Sequence, residues 1–349
     1  MEHKIGIIGC GTVGQGLLDI LDRKREFLQD AYGFEARIVA VSDKLKGSLF
    51  IPEGVEIREL LNLLGQGKPI SDYPQGKNAS AETMDPLEMI EKCDADIIVE
   101  ATYTDIKTGE PATGYVKKAL RSGKHVVTSN KGPATLHYHE LRDLAEKNDL
   151  QFRIEGTVMS GTPVFSLFES GLSGNDIREV KGILNGTTNF ILTRMETEGM
   201  EYANALALAQ KLGYAEADPS ADVEGYDALA KIVILSNVIL GGDLKTSDVK
   251  RKGISSLTRR DIEAASAEGF RYKLIAQAKK DHGRIEAHVG PQKLPLTDPL
   301  SGVMGAQNAL MFDTDLMGKI TILGAGAGKT ETGFSLLSDI LAIHRASSK

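Results

Sequence analysis

The stretch KIGIIGCGTVG, residues 4–14, is a short apolar run that passes directly into Gly-x-Gly-x-x-Gly. An apolar run closed by glycine is typical of a buried parallel strand. Helical periodicity follows over Gln15–Leu28, so the glycines stand between a strand and a helix. There they allow a tight turn and let a pyrophosphate approach the N–H groups at the start of the helix. The stretch therefore predicts a Rossmann-type dinucleotide-binding domain; the alternative is a glycine-rich turn without a ligand.

Apolar runs further along the chain predict the other strands of a parallel sheet. They are Ala36–Val41, Ala95–Ala101, His125–Thr128 and Gln151–Ile154, with helices at Ala112–Ser122 and Leu136–Asn148 and an exposed loop at Gln75–Ala81. Parallel sheets bind their ligands just beyond the carboxyl ends of the strands. Lys131 occupies such a position after His125–Thr128 and is a candidate functional residue; a surface lysine in a loop is the alternative.

The acid that would select the cofactor is Asp43, which follows the second strand. It lies 29 residues after Gly14, further than the usual ~20 for the residue that binds ribose. An acid here binds the 2′-hydroxyl of NAD, whereas Lys44 and Lys46 could bind the 2′-phosphate of NADP. The alternative for all three is a solvated turn, so the sequence leaves the choice between NAD and NADP open.

The remainder of the chain predicts a second α/β domain. Its expected elements are a strand at Val180–Leu184, a helix at Arg260–Lys280, strands at Arg284–Val289, Asn308–Phe312 and Lys319–Leu323, breakers at Gly290-Pro291, and a closing helix at Phe334–Arg345. The glycines at 324–328 do not form a Walker phosphate loop, because Leu323 stands where that pattern needs glycine. We expect the dinucleotide-binding domain to span 1–150, completed by 330–349, and the second domain to span 151–329.

The segment LGYAEADPSADVEGYDALAK, residues 212–231, places several acids just ahead of a lysine. Its pattern turns helical from about Gly225, so Asp227 and Lys231 form an i,i+4 pair on one helix face. Such a pair is usually a solvated surface bridge. Here apolar residues flank it, and a lysine removed from water has its pKa lowered toward the range useful for proton transfer. The polar turn Asn185–Phe190 could bind a small polar ligand in the same site, or could simply cap a helix.

Charge and composition exclude several classes of protein. The 349 residues carry 41 basic and 48 acidic side chains, a net charge of −7, with no long basic run, so nucleic acid and anionic membranes are not expected partners. Cys10 and Cys93 are too few and too far apart for a disulfide framework or a cysteine metal site. The first residues are too weakly apolar for a signal peptide, and no run approaches the ~20 apolar residues that span a bilayer. We expect a soluble cytoplasmic α/β protein.

Five motifs together make the chain resemble the homoserine dehydrogenase family over nearly its whole length. They are GCGTVG at 9–14, TSNKGP at 128–133, EGTVMSGTP at 155–163, LNGTTNFIL at 184–192 and GYAEADPSADVEGYDALAK at 213–231. The resemblance implies an NADP- or NAD-dependent enzyme that interconverts L-homoserine and L-aspartate 4-semialdehyde in threonine and methionine biosynthesis. It also implies a homodimer in which each chain joins a cofactor domain to a catalytic and dimerisation domain.

The same resemblance implies roles for individual residues. Lys231 would transfer the proton, with Asp227 as its partner, and Lys131 would stand on the cofactor side of the reacting carbon. The implied substrate residues are Glu216, Asp222, Tyr214, Gly186 and Thr187. The implied cofactor residues are Gly9, Gly11, Thr12, Val13, Gly14, Asp43, Lys44, Thr102, Ser129, Asn130, Lys131 and Gly328. The implied ligands of a structural sodium ion are Glu155, Val158, Ser160 and Thr162, largely through backbone carbonyls.

The chemistry of the substrate agrees with these residues. Homoserine is a zwitterion, so acidic side chains suit its ammonium, and backbone N–H groups or hydroxyls such as that of Thr187 suit its carboxylate. A positioned ammonium can stabilise the charge that develops on oxygen during hydride transfer and give up its proton.

Two other functions fit the residues less well. Aspartate-semialdehyde dehydrogenase needs a cysteine nucleophile, and neither Cys10, in the phosphate turn, nor Cys93, just before a strand, is in a plausible place. A dinucleotide-sensing regulatory protein on the same fold is the alternative, but it would have no need of the acids and lysine at 212–231. Many relatives carry a further ACT domain that senses threonine; this sequence stops at Lys349, after the closing helix, so direct feedback through such a domain is not expected.

Overall fold

The computed structural model describes residues 1–74 and 84–347, so the loop predicted at Gln75–Ala81 lies outside the described residues. The chain forms two compact units. The first unit combines residues 1–161 with the segment that begins at Gly328, and the second spans Thr162–Ala327.

The first unit is built on a six-stranded sheet with the order β3-β2-β1-β4-β5-β6. The strands are β1 (Glu2–Ile8), β2 (Glu35–Asp43), β3 (Gly47–Phe50), β4 (Ile97–Glu100), β5 (His125–Thr128) and β6 (Phe152–Arg153). All neighbours are parallel except β2 and β3. Because β2 and β4 flank β1 on opposite sides, the chain leaves β1 at a topological switch point, which is where such sheets bind ligands. The predicted Rossmann-type sheet is confirmed.

Helices connect these strands in the described part of the unit. They are α1 (Thr12–Arg23), α2 (Arg25–Tyr32), α3 (Ile57–Gly65), α4 (Pro86–Lys92), α5 (Ala112–Arg121), α6 (Lys131–Leu136) and α7 (Tyr138–Lys147). The single helix predicted at Gln15–Leu28 is wrong, because the chain breaks at Lys24; α2 buries only Leu28, so little packing holds it in line with α1. The alternative of a surface lysine in a loop is wrong for Lys131, which is half-buried at the start of α6. Asn130 caps a helix there, its side chain accepting from the N–H of Gly132 at 3.0 Å.

The second unit has a sheet with the order β12-β11-β7-β9-β10-β8, antiparallel except between β10 and β8. Its strands are β7 (Ile177–Ile183), β8 (Lys250–Arg251), β9 (Phe270–Asp281), β10 (Arg284–Pro295), β11 (Asn308–Thr314) and β12 (Gly318–Gly324). Its helices are α8 (Gly186–Glu198), α9 (Tyr202–Lys211), α10 (Ser220–Val223), α11 (Tyr226–Ile239) and α12 (Arg259–Ala267). The short helix α10 lies before Gly225, the residue from which the sequence predicts a helix.

The helix predicted at Arg260–Lys280 is wrong in its second half. Helix α12 ends before Gly269, whose φ of +81° takes the chain out of the helix, and residues 270–281 form β9. Strand β9 pairs with β7 on one side and β10 on the other, so it is central and buried over 274–276. A strand buried on both faces loses the alternating pattern that identifies strands in sequence.

Strand β10 also runs longer than predicted, through Gly290 and Pro291 to Pro295. Pro291 has no N–H to donate, and proline is tolerated in a sheet only where that donor would face an open edge. Strand β8 pairs only with His288 and Val289. From Gly290 onward β10 is therefore an edge strand, which explains why these two breakers do not end it.

The closing helix α13 (Lys329–Ser347) returns to the first unit and packs across α1. The two helices approach closely because their contact is made by glycines. A Cβ on Gly16 would lie 2.2 Å from the carbonyl oxygen of Lys329, and one on Gly333 would lie 2.6 Å from the carbonyl carbon of Gly16. None of the helices in the described part of the chain is long and apolar enough to cross a membrane.

Candidate active site

The glycine-rich turn between β1 and α1 is shaped for close approach. Gly9 has a φ of +93°, and a Cβ there would lie 2.4 Å from the carbonyl oxygen of Ala101; a Cβ on Gly14 would lie 2.3 Å from that of Gly9. Around Gly11, by contrast, none of the described residues comes within 4 Å of an added Cβ. No described side chain caps α1, which begins with Thr12 and Val13. The free N–H groups and the open space at Gly11 fit a pyrophosphate.

Asp43, at the end of β2, is tied to this turn. Its Oδ2 accepts from the N–H of Cys10 at 2.9 Å, and its Oδ1 accepts from the N–H of Leu45 at 3.0 Å. Lys46 donates from Nζ to the carbonyl oxygen of Cys10 at 2.6 Å, while Lys44 is exposed. Asp43 is therefore a fixed, largely buried carboxylate beside the phosphate turn.

A buried carboxylate that the sequence interpretation missed, Glu100, organises the ends of β4 and β5. Its Oε2 accepts from the hydroxyl of Thr128 at 2.8 Å, and its Oε1 accepts from the N–H of Thr102 at 2.9 Å. The amide of Asn130 donates to the carbonyl oxygen of Tyr103 at 3.1 Å. Burial raises the pKa of Glu100, and the hydrogen bonds that Glu100 accepts from Thr102, Thr128 and Asn130 oppose the shift. The sequence signal that could have identified Glu100 is its position as an acid at the end of the apolar run IIVE, residues 97–100.

These bonds place Thr102 and Asn130 at the carboxyl edge of the first sheet. Ser129 lies there too. It is so close to Gly156 that a Cβ added to the glycine would lie 2.7 Å from the Cβ of Ser129. Lys131 is half-buried as the first residue of α6. Gly328 precedes α13 with a φ of +150°, and an added Cβ would lie 2.0 Å from a carboxylate oxygen of Glu331. The cofactor roles of Thr102, Ser129, Asn130, Lys131 and Gly328 stay predictions.

The second unit holds Lys231 and Asp227 together on the first turns of α11. Nζ of Lys231 donates to Oδ2 of Asp227 at 2.7 Å and to the carbonyl oxygen of Leu184 at 2.7 Å. The two side chains are only 9% and 14% exposed, so the pair is not a solvated surface bridge. An ammonium has three protons; these two contacts use two of them.

The polar turn before α8 contacts the same pair. Asn185 donates from Nδ2 to Oδ1 of Asp222 at 2.6 Å and to Oδ2 of Asp227 at 3.0 Å. Gly186 begins α8, and an added Cβ would lie 2.6 Å from the carbonyl oxygen of Ala306. Burial first, and then the charge of Asp227, raise the pKa of Asp222. Lys231, two carboxylates and the start of α8 therefore form one buried cluster.

The sequence analysis expects the hydroxyl of Thr187 to suit a ligand carboxylate. In the structure this hydroxyl is already used within the protein. The hydroxyl donates to the carbonyl oxygen of Tyr214 at 2.6 Å. The ring of Tyr214 lies 4.7 Å from that of Phe190, centre to centre, and the tyrosine is 47% exposed. The hydroxyl thus fixes the 212–218 segment against α8, and a ligand carboxylate would have to use the backbone N–H groups of Gly186 and Thr187.

Glu216 follows in the same segment and is exposed. Its carbonyl oxygen accepts from the amide of Gln210 at 3.1 Å, which anchors the backbone. Among the described residues no hydrogen bond or ion pair engages its carboxylate. Glu216 is therefore available to a cation from solution.

The four predicted sodium ligands are divided by the boundary between the units. Glu155, Val158 and Ser160 are in the first unit, and Thr162 opens the second. Glu155 is buried, and its N–H donates to Asp339 at 2.8 Å. The carbonyl oxygen of Ser160 accepts from the hydroxyl of Ser335. No group of three or more His, Cys, Asp or Glu side chains suited to a metal occurs in the described ranges.

Neither cysteine is suited to be a nucleophile. Cys10 and Cys93 are both buried. Burial raises the pKa of Cys10 to about 12, against the smaller opposing effect of Lys46. Only the thiolate is nucleophilic, so the geometry agrees with the exclusion of thioester chemistry.

Comparison with known proteins gives consistent matches. Two family models match this chain, "Homoserine dehydrogenase, NAD binding domain" over residues 9–155 and "Homoserine dehydrogenase" over residues 163–341. The chain is 44% identical to an NAD(+)-dependent homoserine dehydrogenase of Pseudomonas canavaninivorans, with 100% of this chain and 98% of the relative covered. It is 38% identical to a homoserine dehydrogenase of Methanocaldococcus jannaschii, with coverage of 98% and 99%. The structure of a hyperthermophilic archaeal homoserine dehydrogenase mutant in complex with NADPH aligns with a TM-score of 0.82 and 32% identity, covering 98% of this chain and 97% of that one.

Proposed function

This chain belongs to the homoserine dehydrogenase family, and we propose how its residues carry out the reaction of that family. It is an NAD(P)-dependent oxidoreductase acting on the CH–OH group of homoserine, with aspartate 4-semialdehyde as the oxidised partner. The alternative of a dinucleotide-sensing regulatory protein is not supported, since the matched relatives are dehydrogenases over their full length.

The observation that carries our assignment of the proton-transfer residue is the bonding of Lys231. Its ammonium is held by Asp227 and by the carbonyl oxygen of Leu184, both at 2.7 Å, which leaves one N–H for the substrate oxygen. In the reduction, this N–H stabilises the charge that develops on the aldehyde oxygen and then transfers its proton. In the oxidation, the neutral amine accepts the hydroxyl proton of homoserine.

The substrate is held at its two charged groups. We assign its ammonium to Glu216, whose carboxylate is exposed and engaged by none of the described residues. Its carboxylate goes to the N–H groups of Gly186 and Thr187 at the start of α8, where the helix dipole favours negative charge. Asp222 and Tyr214 shape the pocket between them.

The nicotinamide cofactor supplies or accepts the hydride. We propose that the turn Gly9–Gly14 holds its pyrophosphate and that Asp43 and Lys44 meet its ribose. Thr102, Ser129, Asn130 and Lys131 line the carboxyl edge of the first sheet, where ligands of such sheets bind. Gly328, in its left-handed conformation, completes the set at the start of α13.

For cofactor choice we propose a preference for NAD. The carboxylate of Asp43 is fixed at the end of β2, where it would repel a 2′-phosphate. Lys46 already donates to Cys10, so Lys44 is the remaining cation of this turn. A 44% identical relative is NAD(+)-dependent, whereas a 32% identical one binds NADPH. Asp43→Asn should raise kcat/KM with NADP relative to NAD; an unchanged ratio would count against Asp43 as the selecting residue.

We also propose a structural sodium ion and a homodimer. Carboxylate and carbonyl oxygens are the donors that a hard cation takes, and Glu155, Val158 and Ser160 supply them within one short segment. Replacing sodium by choline at constant ionic strength should lower Tm.

Leu316, Met317 and Leu323 are 51% to 72% exposed on the β11–β12 hairpin, which supports association through this sheet. Light scattering after size exclusion tests the dimer.

One assay tests the activity directly. L-Homoserine is added with NAD or with NADP, and the absorbance of the reduced nicotinamide is followed. We expect turnover with both and the higher kcat/KM with NAD. No turnover with either cofactor would refute the proposed site, and a clear preference for NADP would refute only the cofactor assignment.

A further inference from the structure

The side chain of Asn185 joins the first turn of α8 to the carboxylates of Asp222 and Asp227. It is 4% exposed and caps α8, its Oδ1 accepting from the N–H of Thr188 at 2.9 Å. Its Nδ2 donates one proton to Asp222 at 2.6 Å and the other to Asp227 at 3.0 Å. The orientation of the amide is determined, because the helix N–H can only donate and an ionised carboxylate can only accept.

The two carboxylates would not coexist easily without this amide. Both lie in a buried cluster, and burial together with Asp227 disfavours the ionised form of Asp222. The hydrogen bond from Asn185 acts in the opposite direction, as does the charge of Lys231. Two carboxylates in contact, with no donor between them, share one proton instead of both ionising.

The charged groups that face Asn185 come from two helices. Asp222 belongs to α10, and Asp227 and Lys231 belong to α11. Strand β7 is followed by Leu184, whose carbonyl oxygen takes a second proton of Lys231 at 2.7 Å. With both acids ionised, Oδ2 of Asp227 remains an acceptor for Lys231, and the cluster has a net charge of −1.

We propose that Asn185 is a positioning residue for proton transfer, an amide that holds Asp222 and Asp227 apart as two ionised carboxylates and so fixes the ammonium of Lys231. The inference rests on the proposed role of Lys231. Helix capping alone is the competing explanation, and it makes a different prediction for a suitable substitution.

Asn185→Asp separates the two explanations, because Asp caps a helix as well as Asn does but has no proton to donate when ionised. If Asn185 divides the carboxylates, kcat should fall about 30-fold, the equivalent of one lost charged hydrogen bond, with the KM for NAD unchanged; Tm should fall as well, because a third carboxylate joins the buried cluster. Lowering the pH should restore part of kcat, since the introduced carboxyl group, once protonated, again offers a donor between the two acids. Wild type, with no acid at this position, should not gain from the same change of pH.

The double variant Asn185→Asp/Asp222→Asn completes the test. It exchanges the amide and the carboxylate, keeps the net charge and restores a donor between positions 185 and 222, so it should recover up to about tenfold of the lost kcat; the contact between position 185 and Asp227 still has no donor, which prevents full recovery. Near-wild-type kcat in Asn185→Asp, or a loss with no recovery at lower pH and none in the double variant, would overturn the inference. Lys231→Ala is assayed alongside: if it is active, the proposed role of Lys231 fails, and if it is inactive while Asn185→Asp is fully active, only the role of Asn185 fails.

Discussion

Lys231 is the residue whose loss should stop the chemistry. Lys231→Ala removes the ammonium and its one remaining N–H, so kcat should fall at least about a hundredfold, the usual contribution of a positioned acid or base. Cofactor binding, followed by nicotinamide fluorescence, should persist because Lys231 belongs to the second unit. Lys250→Ala, which removes an exposed lysine of that unit, is the matched control. Near-normal turnover of Lys231→Ala would rule out the assignment.

Glu216 should act on substrate affinity and not on the chemical step. Glu216→Gln keeps the size of the side chain and removes its charge, so the KM for homoserine should rise about tenfold or more, as expected for a lost charged hydrogen bond. The KM for NAD should not change. Glu286→Gln, at an exposed position of β10, controls for the loss of one surface charge. An unchanged KM for homoserine would remove Glu216 from the substrate pocket.

Two glycines in the turn between β1 and α1 have different roles: Gly11 leaves space for the cofactor, and Gly14 allows close packing of the turn. Gly11 has an ordinary φ of −79° and open space where a side chain would project. Gly11→Val should therefore leave Tm unchanged and abolish NAD(P) binding by occupying the space of the pyrophosphate. Gly14→Val should instead lower Tm, because its Cβ would lie 2.3 Å from the carbonyl oxygen of Gly9.

Thermal melts and fluorescence titrations with reduced cofactor distinguish these outcomes. Retained cofactor binding in Gly11→Val would contradict the role of the turn. A wild-type Tm in Gly14→Val would show that the turn can relax around a side chain, contrary to its packing.

The second unit contains a buried lysine outside the proposed mechanism. Lys273 on β9 is 1% exposed and donates from Nζ to Oδ1 of Asn189 at 3.0 Å and to the carbonyl oxygen of Val303. Burial lowers its pKa to about 8, against the smaller opposing effect of Glu196. It ties β9 to α8 and to the 303–307 segment, so it contributes to the stability of the unit.

This lysine should make the stability of the whole protein depend on pH. The unfolded chain keeps the proton of Lys273 up to its ordinary pKa near 10.4, while the folded chain releases it above about 8. Between these values the unfolded state binds more protons, so the contribution of Lys273 to the free energy of unfolding rises with pH. Relative to Lys273→Met, wild type should gain roughly 2.5 kcal/mol from pH 7 to pH 10.

Thermal melts of wild type and Lys273→Met between pH 7 and pH 10 measure the difference in their free energies of unfolding. The other titrating groups are common to both proteins, so their effects cancel in this difference. Lys279→Met, at an exposed position of the same strand, should show no such trend. A difference that does not vary with pH would mean that Lys273 keeps its charge throughout.

Several features of the molecule are encoded within short segments of its sequence. The glycine turn of the first unit, most strands of the parallel sheet and the pairing of Asp227 with Lys231 follow from residue spacing alone. Such segments carry their own constraints, because glycine sets the backbone angles and helical or alternating periodicity sets which side chains share a face.

Which distant residues meet, and how deeply they are buried, depends on the folded chain as a whole. Residues 270–281 form a central strand because β7, far upstream, pairs along one side of them. Asn185 reaches Asp222 and Asp227 across 37 and 42 residues, and Glu100 reaches Thr128 across 28. Burial removes water and strengthens these contacts, so a pair whose spacing alone favoured the surface, Asp227 and Lys231, becomes part of a buried polar cluster.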